Sequence, residues 1–231
     1  MKPYVICHMV ASLDGRIWSS RWRPSGTPTS KLFEPLHEKL AGDAWLIGRV
    51  TGREFAKGGD AYPARADVSY PRESWLVRRD AAAYGIVLDA HGKIVWSRAD
   101  IGGDPIVVVL TEQVSDAHLA GLRGDGVSYV FAGKTALDLR LALETVNREL
   151  GVKRLLLEGG GVANGEFLRA GLVDEISLVI APAIDGAKGG PHVFDSIDAT
   201  AGPLPLRRMT LLQCEVQDDG GVWLRYTLEN A

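Results

Sequence analysis

The run Leu155-Leu156-Leu157-Glu158-Gly159-Gly160-Gly161-Val162-Ala163-Asn164-Gly165 constrains this chain more than any other stretch. Its three apolar residues predict a short buried strand. A carboxylate, Glu158, stands at the carboxyl end of that strand. Three glycines follow, then a helical pattern opens at Glu166, with Gly171 past its end. Strand, glycine turn and helix start together let the backbone approach an anion closely and aim unpaired N–H groups at it, the geometry of a phosphate cradle. The spacing is neither the dinucleotide G-x-G-x-x-G nor a P-loop, because no Gly-Lys-Ser/Thr follows. The same run also reads as a tight turn that needs glycine only for positive φ.

Length and charge narrow the field. A chain of 231 residues, 46% of them hydrophobic, can form one large α/β domain or two small ones. It shows no repeat, low-complexity tract or linker, so a single domain over 1–231 is the expectation. A net charge of −3 gives no global signal for nucleic acid or an anionic membrane. Cys7 and Cys214 make neither a disulfide framework nor a zinc site. The five histidines have no metal-ligand spacing, and no metal is expected. No G-x-S-x-G elbow occurs. Residues 1–6 lack the apolar core of a signal peptide, and no stretch reaches the ~18 apolar residues of a membrane span. The expected compartment is the cytoplasm.

Periodicity then places the elements. Strands are expected over 4–10, 44–47, 86–88, 106–110, 128–131, 153–157 and 175–184. Asp14-Gly15 predicts a turn. Residues 16–28 read as irregular, with a helix near 30–40 in which Pro35 can mark the true first turn. A short helix opens at Arg49. Residues 57–84, with Gly58, Gly59, Pro63 and Pro71, read as a surface excursion or lid. The clearest helix runs from Asp138 to Leu150: Asp138 caps it, Leu139, Ala142, Leu143, Val146 and Leu150 share a face, Glu144 and Arg148 are spaced to pair, and Gly151 ends it. The end predicts a hairpin, 209–216 and 222–228, around a turn at 218–221. Alternating strands and helices followed by strands alone imply an α/β sheet, parallel in the middle with an antiparallel edge.

These pieces, in this order, resemble a known family. Ala11-Ser12-Leu13-Asp14-Gly15-Arg16-Ile17 is similar to its "A-x-S-L-D-G-x-I" element, one residue shorter between Ala and Ser. Leu46-Ile47-Gly48-Arg49-Val50-Thr51 is similar to its strand-Gly-x-x-Thr element, and Ile86-Val87-Leu88-Asp89 to a mid-chain strand. Leu157-Glu158-Gly159-Gly160-Gly161, Asn164-Gly165 and the stretch from Gly171 to Pro182 resemble its C-terminal signature. The family is the RibD C-terminal reductase group of riboflavin biosynthesis, within the dihydrofolate reductase-like superfamily. The resemblance covers nearly the whole chain. It implies a three-layer α/β/α fold around a mixed, mostly parallel sheet, an NADPH cofactor, a small-molecule substrate and a homodimer. No deaminase segment is expected ahead of the reductase.

The resemblance also implies roles. Gly48, Arg49 and Thr51 would meet cofactor phosphates, and Gly159, Gly160, Gly161 and Val162 the pyrophosphate. Thr111 would approach the adenosine ribose, with Glu112 beside it an unwelcome neighbour for a 2′-phosphate. Ala11 and Ile17 would wall the nicotinamide. Glu158 would bind substrate or relay a proton, and Asp14 is a second candidate for chemistry, although Asp before Gly is also a plain turn-former. His8, Ser12 and Phe55 fall on the substrate side, although His8 reads equally as a satisfied core histidine. Riboflavin-pathway members commonly carry Lys or Asn where this chain has His8, and many bacterial members carry Asp where it has Phe55. Arg16, Arg21 and Arg23 with Trp18 and Trp22 read either as a phosphate-binding loop or as a solvated one. The implied activity is hydride transfer from NADPH to a ring-containing acceptor, such as 5-amino-6-(5-phosphoribosylamino)uracil or its 2,5-diamino analogue. Reduction of an unrelated substrate on the same fold and non-catalytic NADP binding stay open at this point, as does flavin or deazaflavin binding on the glycine turn.

Overall fold

A computed structural model describes residues 1–27, 29–59, 61–63, 69–196 and 202–231. In chain order the elements are β1 (Tyr4–Ala11), α1 (Thr29–Leu40), β2 (Ala44–Gly48), α2 (Arg49–Phe55), β3 (Tyr84–Leu88), β4 (Asp100–Ile101), β5 (Asp104–Leu110), α3 (Asp116–Gly124), β6 (Ser128–Phe131), α4 (Leu139–Leu150), β7 (Arg154–Leu157), α5 (Gly161–Arg169), β8 (Glu175–Ile180), β9 (Leu206–Val216) and β10 (Val222–Asn230), with a single 3-10 turn at Ser19–Arg21. They form two compact units. Met1–Pro3 and Asp43–Leu155 make the first, Tyr4–Gly42 and Leu156–Ala231 the second.

In the first unit β2, β3, β5 and β6 lie side by side in that order, all parallel, and β4 adds antiparallel to the start of β5. β3 is buried throughout and β5 nearly so, which is why their sequences are unbroken apolar runs rather than alternating ones. α2 lies so close to β3 that a Cβ on Gly52 would sit 2.6 Å from Val87 Cγ1. α4 follows its sequence pattern. The Asp138 carboxylate accepts from Leu141 N, left-handed Gly151 closes the helix, and Ala142, Leu143, Val146 and Leu150 are buried. Arg148, however, bonds Glu149 and Thr145 rather than Glu144, because its neighbours offer oxygens at 3.2 and 3.5 Å.

In the second unit β1 runs parallel to β8, β8 antiparallel to β10, and β10 antiparallel to β9. Here the hairpin strands do not alternate: β9 is exposed on both faces. Trp223 on β10 is fully buried, while Arg208, Leu211 and Val216 on β9 face solvent. α1 begins at Thr29, ahead of Pro35, which lies inside it on the exposed face. The buried stripe Leu32, Leu36 and Leu40 holds the helix together on both sides of the proline. β8 stops at Ile180, four residues short of expectation, before Pro182. The mixed sheet expected from sequence, parallel strands with an antiparallel C-terminal hairpin, is what forms.

Of the expected excursion at 57–84, Asp60 and residues 64–68 lie outside the described residues. Two parts of the rest are tied down. Trp75 and Tyr129 exchange two backbone hydrogen bonds of 2.9 Å, and Gly58 N donates to Val95 O.

Candidate functional site

The glycine run does make a strand-to-helix turn, but the helix opens five residues earlier than its sequence pattern suggests. Gly160 is the extended N-cap of α5 and Gly161 its first residue. Gly159 has φ +115°, a conformation that side chains rarely adopt. Gly161 and Gly165, one turn apart, share a second constraint. A Cβ on either would collide with the backbone of residues 192–195. That segment docks on α5 through Asp195 N to Gly161 O at 2.9 Å and Asn164 Nδ2 to Val193 O at 2.9 Å. Glycines four apart on one helix face are a legible sign of close approach; the segment that approaches them is not legible.

The same segment holds the turn after β1. Ile17 N donates to Pro191 O, Val193 N to Gly15 O, and Arg16 bridges His192. Residues 190–195 therefore bring the 12–17 turn and the 159–165 turn to one place. Ala11 is buried at the end of β1, and Ile17 is half-buried beyond it. Ser12 is committed to the turn. Its hydroxyl donates to Asp14 Oδ1 at 2.6 Å and accepts from Arg16 N. Asp14 also accepts from Asp185 N and Gly186 N, at 3.1 and 2.9 Å. The Ser12 hydroxyl and these amides hold its carboxyl well below the usual carboxylate range, so it stays ionised and clamps two loops. The arginine-rich stretch is part exposed, at Trp18 and Arg23, and part tied to the fold. Arg21 pairs with Asp185, Arg16 reaches Gly190 O, and Trp22 is buried.

His8 takes up its hydrogen bonds within the fold. It is wholly buried, with Nδ1 3.1 Å from Ser177 Oγ and Nε2 3.3 Å from the Phe33 carbonyl. Trp223 Nε1 donates to Ser177 Oγ at 2.8 Å, so Ser177 donates onward to His8 Nδ1 and Nε2–H faces Phe33 O. Burial pushes the ring down to about 4, and it stays neutral. With both nitrogens engaged, His8 is packed as a satisfied core histidine.

Glu158 ends β7 with its side chain only 8% exposed, and its Oε1 lies 2.6 Å from His37 Nδ1 on α1. Burial raises its carboxyl above the ordinary range, and His37 pulls it partly back. Cys7, buried on β1, feels the same charge, and its thiol is pushed far up. His37 was invisible in the sequence, since 121 residues separate it from its partner.

The first unit carries its own strand-to-helix turn. Gly48 is the extended N-cap of α2, Arg49 is exposed, and Thr51 is half-buried. Burial raises the Asp89 carboxyl, just past β3, and the Ile94 and Lys93 amides and then the Arg49 charge pull it only partly back. Asp89 Oδ2 accepts from Lys93 N and Ile94 N, while Oδ1 has no partner among the described residues. Thr111 is buried, and its hydroxyl donates to Ala90 O at 2.6 Å, which leaves no proton to offer a ribose. Phe55 is exposed at the end of α2 beside Trp45.

Whether these residues suit a dinucleotide can be judged at α5. No side chain caps its N-terminus, no acidic residue stands in its first turn, and glycines bare the backbone leading into it. That is the donor set an anionic pyrophosphate takes. Among the described residues no cluster of His, Cys, Asp or Glu could hold a metal ion, and no helix is long and apolar enough to cross a membrane.

The chain is 30% identical to a 2,5-diamino-6-ribosylamino-4(3H)-pyrimidinone 5′-phosphate reductase of Methanothermobacter thermautotrophicus, over 89% of this chain and 91% of that one. It is 32% identical to the Aquifex aeolicus protein of the same name, over 82% and 81%. The crystal structure of a pyrimidine reductase-like protein from Corynebacterium diphtheriae superposes with a TM-score of 0.71 over 99% of this chain and 93% of that one, at 20% identity. The sequence pattern of the RibD C-terminal domain matches residues 3–222, through both units and every turn described above, and the chain belongs to that family.

Proposed function

We propose that this protein is an NADPH-dependent reductase of a ribosylamino pyrimidine phosphate, the 2,5-diamino compound named for its relatives. The observation that carries the reading is the buried carboxylate Glu158 leading directly into an uncapped glycine-rich helix start. Charge chemistry and anion binding thereby stand side by side in one unit. A bound nicotinamide supplies hydride to the acceptor. The chain's own residues do the rest. Gly159 to Val162 present backbone N–H groups to a pyrophosphate, Ala11 and Ile17 give an apolar wall, and Glu158 serves the substrate. Asp14 and Ser12 hold the turn that carries Ile17. In the first unit Arg49, beside Gly48 and Thr51, offers charge to a phosphate.

A single family pattern running through both units supports treating 1–231 as one domain in the evolutionary sense. A homodimer is also proposed. β8 has β1 and β10 on its two edges, so the hairpin is left, where β9 exposes Met209, Leu211, Leu212 and Val216 along a strand with only one neighbour. Light scattering on Leu211→Glu should show monomer where the parent chain shows dimer.

The test of function is direct. Thermal shift with NADPH, NADP and NADH at about a hundred times Kd should show roughly 2.7 kcal/mol of stabilisation for the phosphorylated forms. NADPH consumption with the 2,5-diamino ribosylamino pyrimidine phosphate should follow. Binding of NADPH without turnover of this substrate would refute the substrate assignment. No shift with any dinucleotide would refute the reading as a whole.

A further inference from the structure

Reduction of a C=N or C=O bond by a nicotinamide delivers two electrons and one hydrogen to carbon. The electron pair of the breaking π bond closes onto the heteroatom, which must take a proton from somewhere. Of the two carboxylates expected to do chemistry, Asp14 cannot supply it, since three donors keep it ionised. Glu158 is differently placed. It is buried, it is attached to the glycine turn, and it meets one group of matched chemistry, the His37 imidazole, at 2.6 Å.

His37 is held for this contact. It lies one helical turn after Phe33, whose ring stacks on His8 at 4.5 Å and tilts against His37 at 6.1 Å. His8 is in turn fixed by Ser177 and Trp223. A row of packed rings thus backs the imidazole. Its side chain is 33% exposed, whereas that of Glu158 is 8% exposed. One member of the pair reaches water and the other does not. The titratable groups on β1 that face the pair are Cys7 and His8, and burial keeps both uncharged at neutral pH.

We propose that His37 and Glu158 form a proton relay, in which His37 takes a proton from solvent and restocks Glu158, which passes it to the heteroatom of the substrate. This rests on the reductase reading above. In the step, the Glu158 O–H bond breaks as the substrate N–H or O–H forms. The carboxylate left behind then accepts the Nδ1 proton of imidazolium His37, and the neutral imidazole is reprotonated by water. The nicotinamide is the species oxidised and the acceptor carbon the one reduced, so electrons and protons balance. Glu158 is the catalytic residue in this scheme and His37 positions and supplies it.

The test compares the parent enzyme with His37→Asn, whose amide keeps a donor near the Nδ1 position without titrating, and with His37→Gln as a second variant. Three quantities are read: the pH dependence of kcat, KM for the pyrimidine, and the 13C titration of the Glu158 carboxyl. Both variants should lose at least tenfold in kcat near neutral pH with KM within about twofold. The parent's fall in rate with rising pH should move in both. In His37→Gln the Glu158 carboxyl should titrate higher than in the parent, because the partner that pulls it down is gone. A kcat–pH profile unchanged in both variants overturns the relay, even with the reductase fully active. So does an identical Glu158 titration in parent and variant. A parent enzyme that binds NADPH but reduces no pyrimidine overturns the substrate assignment, and the delivery step to that substrate falls with it, while the carboxyl titration still decides whether the pair shares a proton.

Discussion

Each unit carries a strand that runs through glycine into a helix, and each buries a histidine, yet the two are built on different physics. At Gly48 the first unit uses ordinary backbone, with φ −77°, and adds charge: exposed Arg49 set against the partly orphaned Asp89. At Gly159 to Gly165 the second unit uses steric exclusion. One glycine is in a conformation closed to side chains, and two others are pressed by a neighbouring segment. The buried histidines differ in the same way. His8 has both nitrogens engaged, whereas His118 on α3 leaves Nε2 without a partner among the described residues. The contrast is between the two histidines: elsewhere both units leave buried polar atoms without a partner among the described residues, Trp96 Nε1 in the first and Asn164 Oδ1 in the second among them.

The comparison breaks most sharply at Gly165. A methyl there overlaps the backbone of Asp195, which cannot rotate away as a side chain could. Gly165→Ala should cost about 3 kcal/mol in chemical denaturation, the upper end for overpacking. Gly52→Ala, in the first unit, meets only the Val87 and Ile94 side chains and should cost about 1–2 kcal/mol. Equal costs would mean that segment 192–195 yields and that the second turn is not the stiffer one.

Acid should affect both histidines. Burial pushes His8 and His118 each down to about 4 from 6.5. Between pH 6.5 and 4 the unfolded chain binds protons at these rings and the folded chain does not, so stability falls as pH falls through that window. Each contributes on the order of 2–3 kcal/mol at the acid end. His118→Gln should flatten the melting temperature between pH 6.5 and 4.5, and because its Nε2 bonds nothing among the described residues, it should cost little at pH 8. His8→Gln should flatten the same window yet destabilise at pH 8 as well, since it unmakes the Ser177 and Phe33 contacts. Identical behaviour at pH 8 would erase the distinction between the two histidines.

What the sequence revealed follows the same divide between local and distant causes. α4 was readable to the residue because Asp138, its apolar stripe and Gly151 are neighbours whose effects are local. β3, β5 and β6 were readable because strands buried on both faces leave apolar runs. The start of α5 was missed because three glycines suppress any helical pattern, and tertiary docking overrides weak propensity. Pro35 misled for a related reason: the stripe around it outweighs one lost hydrogen bond. The site was half legible. Glu158 and its glycines announced themselves, but His37 and residues 190–195 reach the turn only through folding, and no local pattern marks them. Ser12, Asp14, Thr111 and His8 look like ligand contacts in a motif, and their hydrogen bonds show that the fold uses them itself.

The smallest effect tests the charged turn. Arg49 is exposed, so Arg49→Gln should leave stability within about 0.5 kcal/mol. If its charge meets a cofactor phosphate, NADPH should bind roughly three- to tenfold more weakly, consistent with about 1 kcal/mol for one screened contact, and raised salt should shrink the difference between variant and parent. Gly159→Ala gives the opposite signature in the second unit. Strain at φ +115° should cost about 1–2 kcal/mol of stability and weaken NADPH with little dependence on salt, since what is lost is shape rather than charge. Calorimetry of the two variants at low and high salt separates the cases. A salt-independent loss at Arg49 would show that the first turn, too, acts through shape, and the contrast between the units would have to be abandoned there.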